Sequence, residues 1–528
     1  MRDFHLPGRS PAYAANAMVA SSHPTAVSVA IEIMRSGGNA ADAAIAGAIA
    51  LGLGEPAMTG LGGDMFALVK PTGSDEILGL NASGRAPAGA TAEGMRAKGW
   101  TEMEEDDANS ALVPGAVAGF AALSEAHGRK GLDALVAPSI ALAEEGMPVV
   151  PRAAFDWARA EPRMRGAMRR WYLKDDKPYR AGDLFRHAGQ AEVLRAIQAK
   201  GAAGFYEGPV AEDMVASLQA LGAAHTLEDF AATRADWVTP ISGPYRGAEI
   251  VELPPNTHGA TAILMARILE RFDIASMDPG GAERAHIETE AAKLAYAARD
   301  AAIADPEAMT YPLEALIGQE LADRLGALID PERALAPPAD VLGGARHKDT
   351  IYITAVDRDR MAVSLIYSVY HDFGGCLASD RYGINFNNRA AGFVLTEGHP
   401  NVYGPKKRPL HTIIPGMLRQ SGRVTMPFGV MGGGYQPHGH VRLVSNMLDF
   451  GMDPQAAQDL PRIFHQNGNT EIENGYPRAV WDALAAKGHP IAGRAVPLGG
   501  SQAIYIDHER GVLIGGTDPR KDGLALGY

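Results

Sequence analysis

The sequence predicts an α+β protein, and three stretches carry that prediction. Between residues 64 and 82 the apolar clusters MFALV and ILGL flank a PTGSDE turn and read as paired strands. From about residue 115 to 305 the pattern is mainly helical, as in AERAHIETEAAKLAYAARDAAIAD, where apolar residues recur at three- and four-residue steps. From residue 350 onward, TIYITAVDRDRMAVSLIYSVY sets two β-branched runs around a DRDR turn, the pattern of a hairpin.

Taken in order, residues 24–36 (PTAVSVAIEIMRS) predict a helix, with Pro24 in its first turn and Gly37–Gly38 as the stop. Asn39 is placed to cap the next helix, AADAAIAGAIALGLG, whose small side chains allow close approach to a sheet or another helix. Near residue 337 the character changes. LAPPADVLGGARHKD is rich in proline and glycine, then basic and polar, and reads as an exposed loop that runs into Thr350. Further on, the strand-like VTMPFGV leads through Met431-Gly432-Gly433-Gly434 to the helical HVRLVSNMLDFG.

Composition narrows the function. The 528 residues hold 49 Lys+Arg against 62 Asp+Glu, a formal net charge of −13, which argues against a nucleic-acid partner. Apolar runs such as Ala44 to Leu53 are too short to span a bilayer, so no membrane partner is expected. The single cysteine, Cys376, excludes internal disulfides and thiolate zinc clusters, so no oxidising compartment is needed. The first residues lack a basic segment followed by an apolar run, so no signal peptide is expected and the cytoplasm is the default location.

A loop that ends at a threonine opening a strand suits one chemistry. A threonine hydroxyl becomes a nucleophile when Thr is the first residue of a chain and its own α-amine takes the proton. That amine titrates at about 7.7–8, close to operating pH. An internal threonine has an amide there instead, so the peptide between Asp349 and Thr350 must first be cut. Attack of Thr350 on the Asp349 carbonyl, followed by hydrolysis of the ester, would divide the 528 residues into pieces of 349 and 179. The alternative is a plain β-former in a hairpin. The glycine turn at 431–434 can offer backbone N–H groups at a helix N-terminus to a developing oxyanion, or be no more than a tight strand-to-helix connection.

Several ordered blocks then resemble the γ-glutamyltranspeptidase family of N-terminal-nucleophile hydrolases: SGGNAADAA, GLGGDMF, VPGAVAGF, LPPNTHGAT, EAAKLAYAARD, Lys348-Asp349-Thr350, RPLHTIIP and DLPRIFHQ. The resemblance spans nearly the whole chain. It implies a four-layer αββα sandwich, self-cleaved into a large subunit, 1–349, and a small subunit, 350–528. Strands from both would interleave in one structural domain, and a dimer of such pairs stays open. Carried over, Thr350 is the nucleophile, Gly432 and Gly433 form the oxyanion hole, and Ser368 takes the place of a threonine that hydrogen-bonds the nucleophile.

The departures from the family bear on substrate. Ser83 stands where the family has the arginine for a substrate α-carboxylate, although Arg85 follows two residues on. Gly392 stands where an aspartate binds the substrate ammonium, and Arg389 replaces the neighbouring acid or amide. Tyr370 replaces an asparagine, and His411 and Thr412 replace two serines. The resemblance therefore keeps acyl transfer and loses the amino-acid clamp. YSVYHDFGG, RPLHTIIPG and PFGVMGGGYQPHGH resemble the branch that includes oxamate amidohydrolase. This implies a small carboxylate-bearing amide as substrate, with Arg85, Tyr370, Arg389, His411, Thr412 and Tyr435 as pocket candidates. Hydrolysis is expected to need no metal and no organic cofactor.

Other readings stay in view: a glutathione hydrolase or γ-glutamyltransferase, a cephalosporin-acylase-like amidase, and a family member without activity. His438 and His440, with His371-Asp372, form at most a partial metal site. The Gly52-x-Gly54 segment follows a helix rather than a strand, so a dinucleotide site is not expected.

Overall fold

In the computed structural model, residues 8–336 and 350–528 are described. Two antiparallel sheets of seven strands each stack face to face among these residues, with helices on both outer faces. The first sheet runs, in spatial order, β1 (Ala12–Ala14), β13 (Val512–Thr517), β12 (Gly500–Asp507), β11 (Arg423–Met431), β10 (Gly416–Gln420), β7 (Ala248–Glu252) and β6 (Ile241–Tyr245). The second runs β14 (Leu524–Gly527), β2 (Met18–Ser21), β8 (Ile351–Val356), β9 (Ala362–Ser368), β3 (Asp64–Lys70), β4 (Leu78–Ala82) and β5 (Asp236–Val238). This is the four-layer αββα arrangement.

Side-chain alternation along β8 shows why the layers form. Ile351, Ile353 and Ala355 join the core beneath the outer helices, while Tyr352 and Val356 join the core between the sheets. Successive residues of a strand point to opposite faces, so a strand in the middle of four layers must be apolar on both. Helix α1 (Pro24–Arg35) and helix α2 (Ala40–Gly54) cover the second sheet. Asn39 caps α2 in a reciprocal capping box with Asp42, as the sequence predicts. The small side chains of α2 are needed: a Cβ at Gly47 would lie 2.4 Å from Ile353 Cδ1. The other outer face carries α3 (Gly259–Leu269), α4 (Ala282–Ala302) and α5 (Gln436–Leu448), packed on apolar residues of β7, β10, β11 and β12.

The expected hairpin forms, with Ile351 opposite Tyr367 and Val356 opposite Ala362, and the pair β3–β4 forms as well. The stretch 115–305 is less uniformly helical than its pattern predicts. It contains β5, β6 and β7, and β6 turns into β7 through Arg246 and Gly247, both at positive φ. A tight turn of that kind is set by backbone geometry rather than by apolar spacing. The expected loop, apart from Leu335 and Ala336, and with it Asp349 at the expected cut, lies outside the described residues. Cys376 is free and buried, and no described helix is long and apolar enough to cross a membrane.

Candidate active site

Thr350 precedes the first residue of β8 and Ser368 ends β9, so the hairpin register brings them together: Thr350 Oγ1 lies 3.5 Å from Ser368 Oγ, and both are buried. Ser368 Oγ also accepts the Tyr370 backbone N–H at 2.9 Å and an Arg389 guanidinium N–H at 3.3 Å. Tyr370 holds φ at +84°, a backbone state rare for a side chain of that size, and its ring lies 4.2 Å beneath the guanidinium carbon of Arg389.

Arg389 has no exposed surface. It donates to Thr412 Oγ1 at 3.0 Å, and its Nε lies 3.7 Å from Asp64 Oδ2. Burial pulls its pKa down to about 10 against the opposing pull of Asp64, so it stays cationic at neutral pH. The Tyr370 phenol is pushed up to about 12, chiefly by burial. Asp64 also accepts from the Gly84 amide at 2.6 Å and from His411 Nε2 at 3.0 Å. Burial, with Arg389 adding, lowers the His411 pKa to about 3. That ring is therefore neutral at ordinary pH, and its contact with Asp64 is a hydrogen bond with Nε2–H as donor, not an ion pair.

The glycine turn follows β11, whose Gly429 packs against the Tyr352 ring. Gly432 (φ +120°) and Gly433 (φ +55°) take backbone states that favour glycine, and a 3-10 turn, Gly433–Tyr435, leads into α5. Strand, glycine turn and helix thus follow in the predicted order.

Two pocket candidates sit elsewhere. Arg85 pairs with Asp236 at 3.7 Å and Asp305 at 3.6 Å and lines a cleft of about 710 Å³ that Thr350, Ser368 and Arg389 do not line. Its position two residues past Ser83 turns it onto the neighbouring acids. Tyr435 is buried against Phe464 and His438, with Arg462 5.8 Å over its ring, so it belongs to the layer outside the first sheet. His411 meets the cluster through Asp64. Tyr370, Arg389 and Thr412 are in it directly.

Asp64 is the residue that sequence reasoning missed. Its signal is a carboxylate that opens the otherwise apolar run MFALV directly after two glycines. The partial metal reading of the histidines does not assemble. His440 donates to Glu252 at 2.7 Å and accepts from the Val430 amide, whereas His438 lies 3.8 Å from Glu288. Among the described residues, His286, Glu290 and His489 do lie within metal-ligand reach of one another. There, however, His286 bonds His489 at 2.7 Å and the Asp330 carbonyl, and the Lys293 ammonium occupies Glu290 at 2.7 Å. These hydrogen bonds and one ammonium already satisfy that cluster.

Comparison with known proteins adds a family. Residues 26–528 match the family model described as gamma-glutamyltranspeptidase. A glutathione hydrolase-like proenzyme of Bacillus subtilis is 34% identical, over 97% of this chain and 98% of the relative. An oxamate amidohydrolase proenzyme of Klebsiella pneumoniae is 32% identical, over 97% of this chain and 98% of the relative. The crystal structure of a cephalosporin acylase from Bacillus halodurans is 36% identical, with a TM-score of 0.93 over 100% of this chain and 99% of that one.

Proposed function

Since this chain belongs to the γ-glutamyltranspeptidase family, we propose that Thr350, freed by cleavage of the Asp349–Thr350 bond, hydrolyses a small amide whose acyl part bears a carboxylate. Membership makes the protein a self-processing amide hydrolase. In maturation, Thr350 Oγ1 attacks the Asp349 carbonyl, the C–N bond breaks as the ester forms and the Oγ1 proton passes to the nitrogen, which becomes the free α-amine. Water then hydrolyses the ester, leaving Asp349 with a terminal carboxylate and returning the hydroxyl of Thr350. In turnover that amine takes the Oγ1 proton, and Oγ1 bonds to the substrate carbonyl carbon. The N–H groups of Gly432 and Gly433 hold the oxyanion, and the leaving nitrogen departs with the proton. Water then attacks the acyl ester, and Oγ1 regains its hydrogen.

One observation supports the substrate class above the rest: the buried Arg389 guanidinium donates to Ser368, itself 3.5 Å from Thr350 Oγ1. A cation so close to the nucleophile disfavours a substrate ammonium and favours an anionic acyl group. Oxamate fits this description. The likeness to a cephalosporin acylase supports a second reading, an amide with a longer carboxylated acyl chain. The test is a panel of oxamate, glutamine, a γ-glutamyl anilide and a glutaryl-cephalosporanate, assayed on cleaved protein. Highest kcat/KM on oxamate is the expected result, and preference for the γ-glutamyl compound overturns it.

A further inference from the structure

Arg299, near the end of α4, is a buried cation with one edge open. Its Nε donates to Asp300 Oδ1 at 2.6 Å and its Nη2 lies equally close, while Nη1, also buried, has no hydrogen-bond partner. The guanidinium carbon lies 4.5 Å over the Tyr296 ring, and the Tyr296 hydroxyl donates to the carbonyl of Gly434 in the glycine turn. Its charge also acts on two neighbours, the Tyr370 phenol and the His258 imidazole. His258 stands at the start of α3. Its amide donates to the His411 carbonyl at 3.1 Å, and neither of its buried ring nitrogens makes a hydrogen bond of normal geometry, although the Thr412 carbonyl approaches one. Burial keeps that ring neutral, with one N–H to give.

Arg299 is thus tied to the glycine turn through Tyr296, and His258 to the segment of His411 and Thr412, and the chain leaves the Nη1 edge of Arg299 unanswered. A buried guanidinium left half-satisfied is unfavourable until an acceptor arrives, and a carboxylate is the acceptor it matches best. Arg389 differs: it donates to Thr412 and Ser368, and its Nε, although without a hydrogen bond, already faces the Asp64 carboxylate at 3.7 Å. We propose that Arg299, with His258, receives the carboxylate of the substrate's acyl part and so sets specificity. The proposal rests on the reading of Thr350 as the amide-hydrolysing nucleophile.

The experiment compares amides that differ only in that group, oxamate against oxamide and glutaramate against glutaramide, on mature wild type, Arg299→Gln and Arg299→Lys. In Arg299→Gln, KM for the carboxylated amides is expected to rise about 10- to 100-fold. There kcat and the kinetics on the neutral diamides stay close to wild type, and Arg299→Lys recovers part of the loss. Equal losses on acids and diamides make Arg299 a support for Tyr296 and the glycine turn, and overturn the proposal while leaving Thr350 hydrolysis intact. If Arg299→Gln does not mature, His258→Gln is titrated with oxalate and succinate as competitive inhibitors; inhibition unchanged from wild type also overturns it. Failure of the parent reading looks different: mature wild type then hydrolyses no amide in the set, and dicarboxylate binding measured by calorimetry decides the subsite alone.

Discussion

Asp64 is the counter-charge that allows Arg389 to lie wholly inside the protein beside Ser368. Removing one partner of a buried pair leaves the other charge uncompensated, at a cost of about 3–5 kcal/mol. Asp64→Asn is accordingly expected to lower the melting temperature by several degrees and to slow maturation; calorimetry and a denaturing gel check the two effects separately. The same carboxylate holds His411 and the Gly84 amide, so the substitution disturbs three segments at once. At Thr350 the expectation is sharper. Thr350→Ala should stay a single chain of 528 residues without turnover, whereas Thr350→Ser should show some of each. Intact mass spectrometry reads the first effect, and cleaved, active Thr350→Ala protein would remove Thr350 from the mechanism.

At the scale of elements, the glycine turn and the hairpin carry the geometry. An alanine at Gly433 would have to adopt φ near +55°, and the resulting shift would reorient the N–H groups of the turn, which the proposed mechanism assigns to the oxyanion. Gly433→Ala should cost on the order of 10²–10³ in kcat, measured on enzyme that has matured. Gly429→Ala acts through packing instead: its Cβ would lie 2.3 Å from the Tyr352 ring between the sheets, so lost stability is the expected readout. These elements were legible in the sequence because each has a local signature. Asn39 precedes small residues at helical spacing, DRDR lies between β-branched runs, and three glycines separate a strand from a helix. What stayed hidden depends on contacts across the fold. Asp64 and Arg389 are 325 positions apart in sequence, and their pairing follows from the order of strands in a sheet, which no local spacing encodes. Arg85 misled for the same reason, since being next but one to Ser83 says nothing of the acids Asp236 and Asp305 that claim it.

For the whole molecule, buried imidazoles set the response to acid. Burial lowers the pKa of His23, His187 and His225 from 6.5 to about 4, and that of His411 to about 3. Below pH 6.5 the unfolded chain binds protons on these rings that the folded protein refuses. Stability should therefore be level above pH 6.5 and fall as pH drops towards 4, by about 1.4 kcal/mol for each ring and each unit of separation. Thermal unfolding followed from pH 7.5 to 4.5 tests this, and a melting temperature that holds constant across the range would contradict it. The order of strands bears on reversibility. In the second sheet β14, β8 and β9 come from the region after Thr350, while β2, β3, β4 and β5 come from the region before it, and the first sheet is mixed in the same way. Once the connecting peptide is cut, neither fragment holds a complete sheet, so they travel together through native chromatography and part only in denaturant. Diluting them back would then demand that two separate polymers meet and rebuild, as a second-order reaction, what one polymer had assembled by itself.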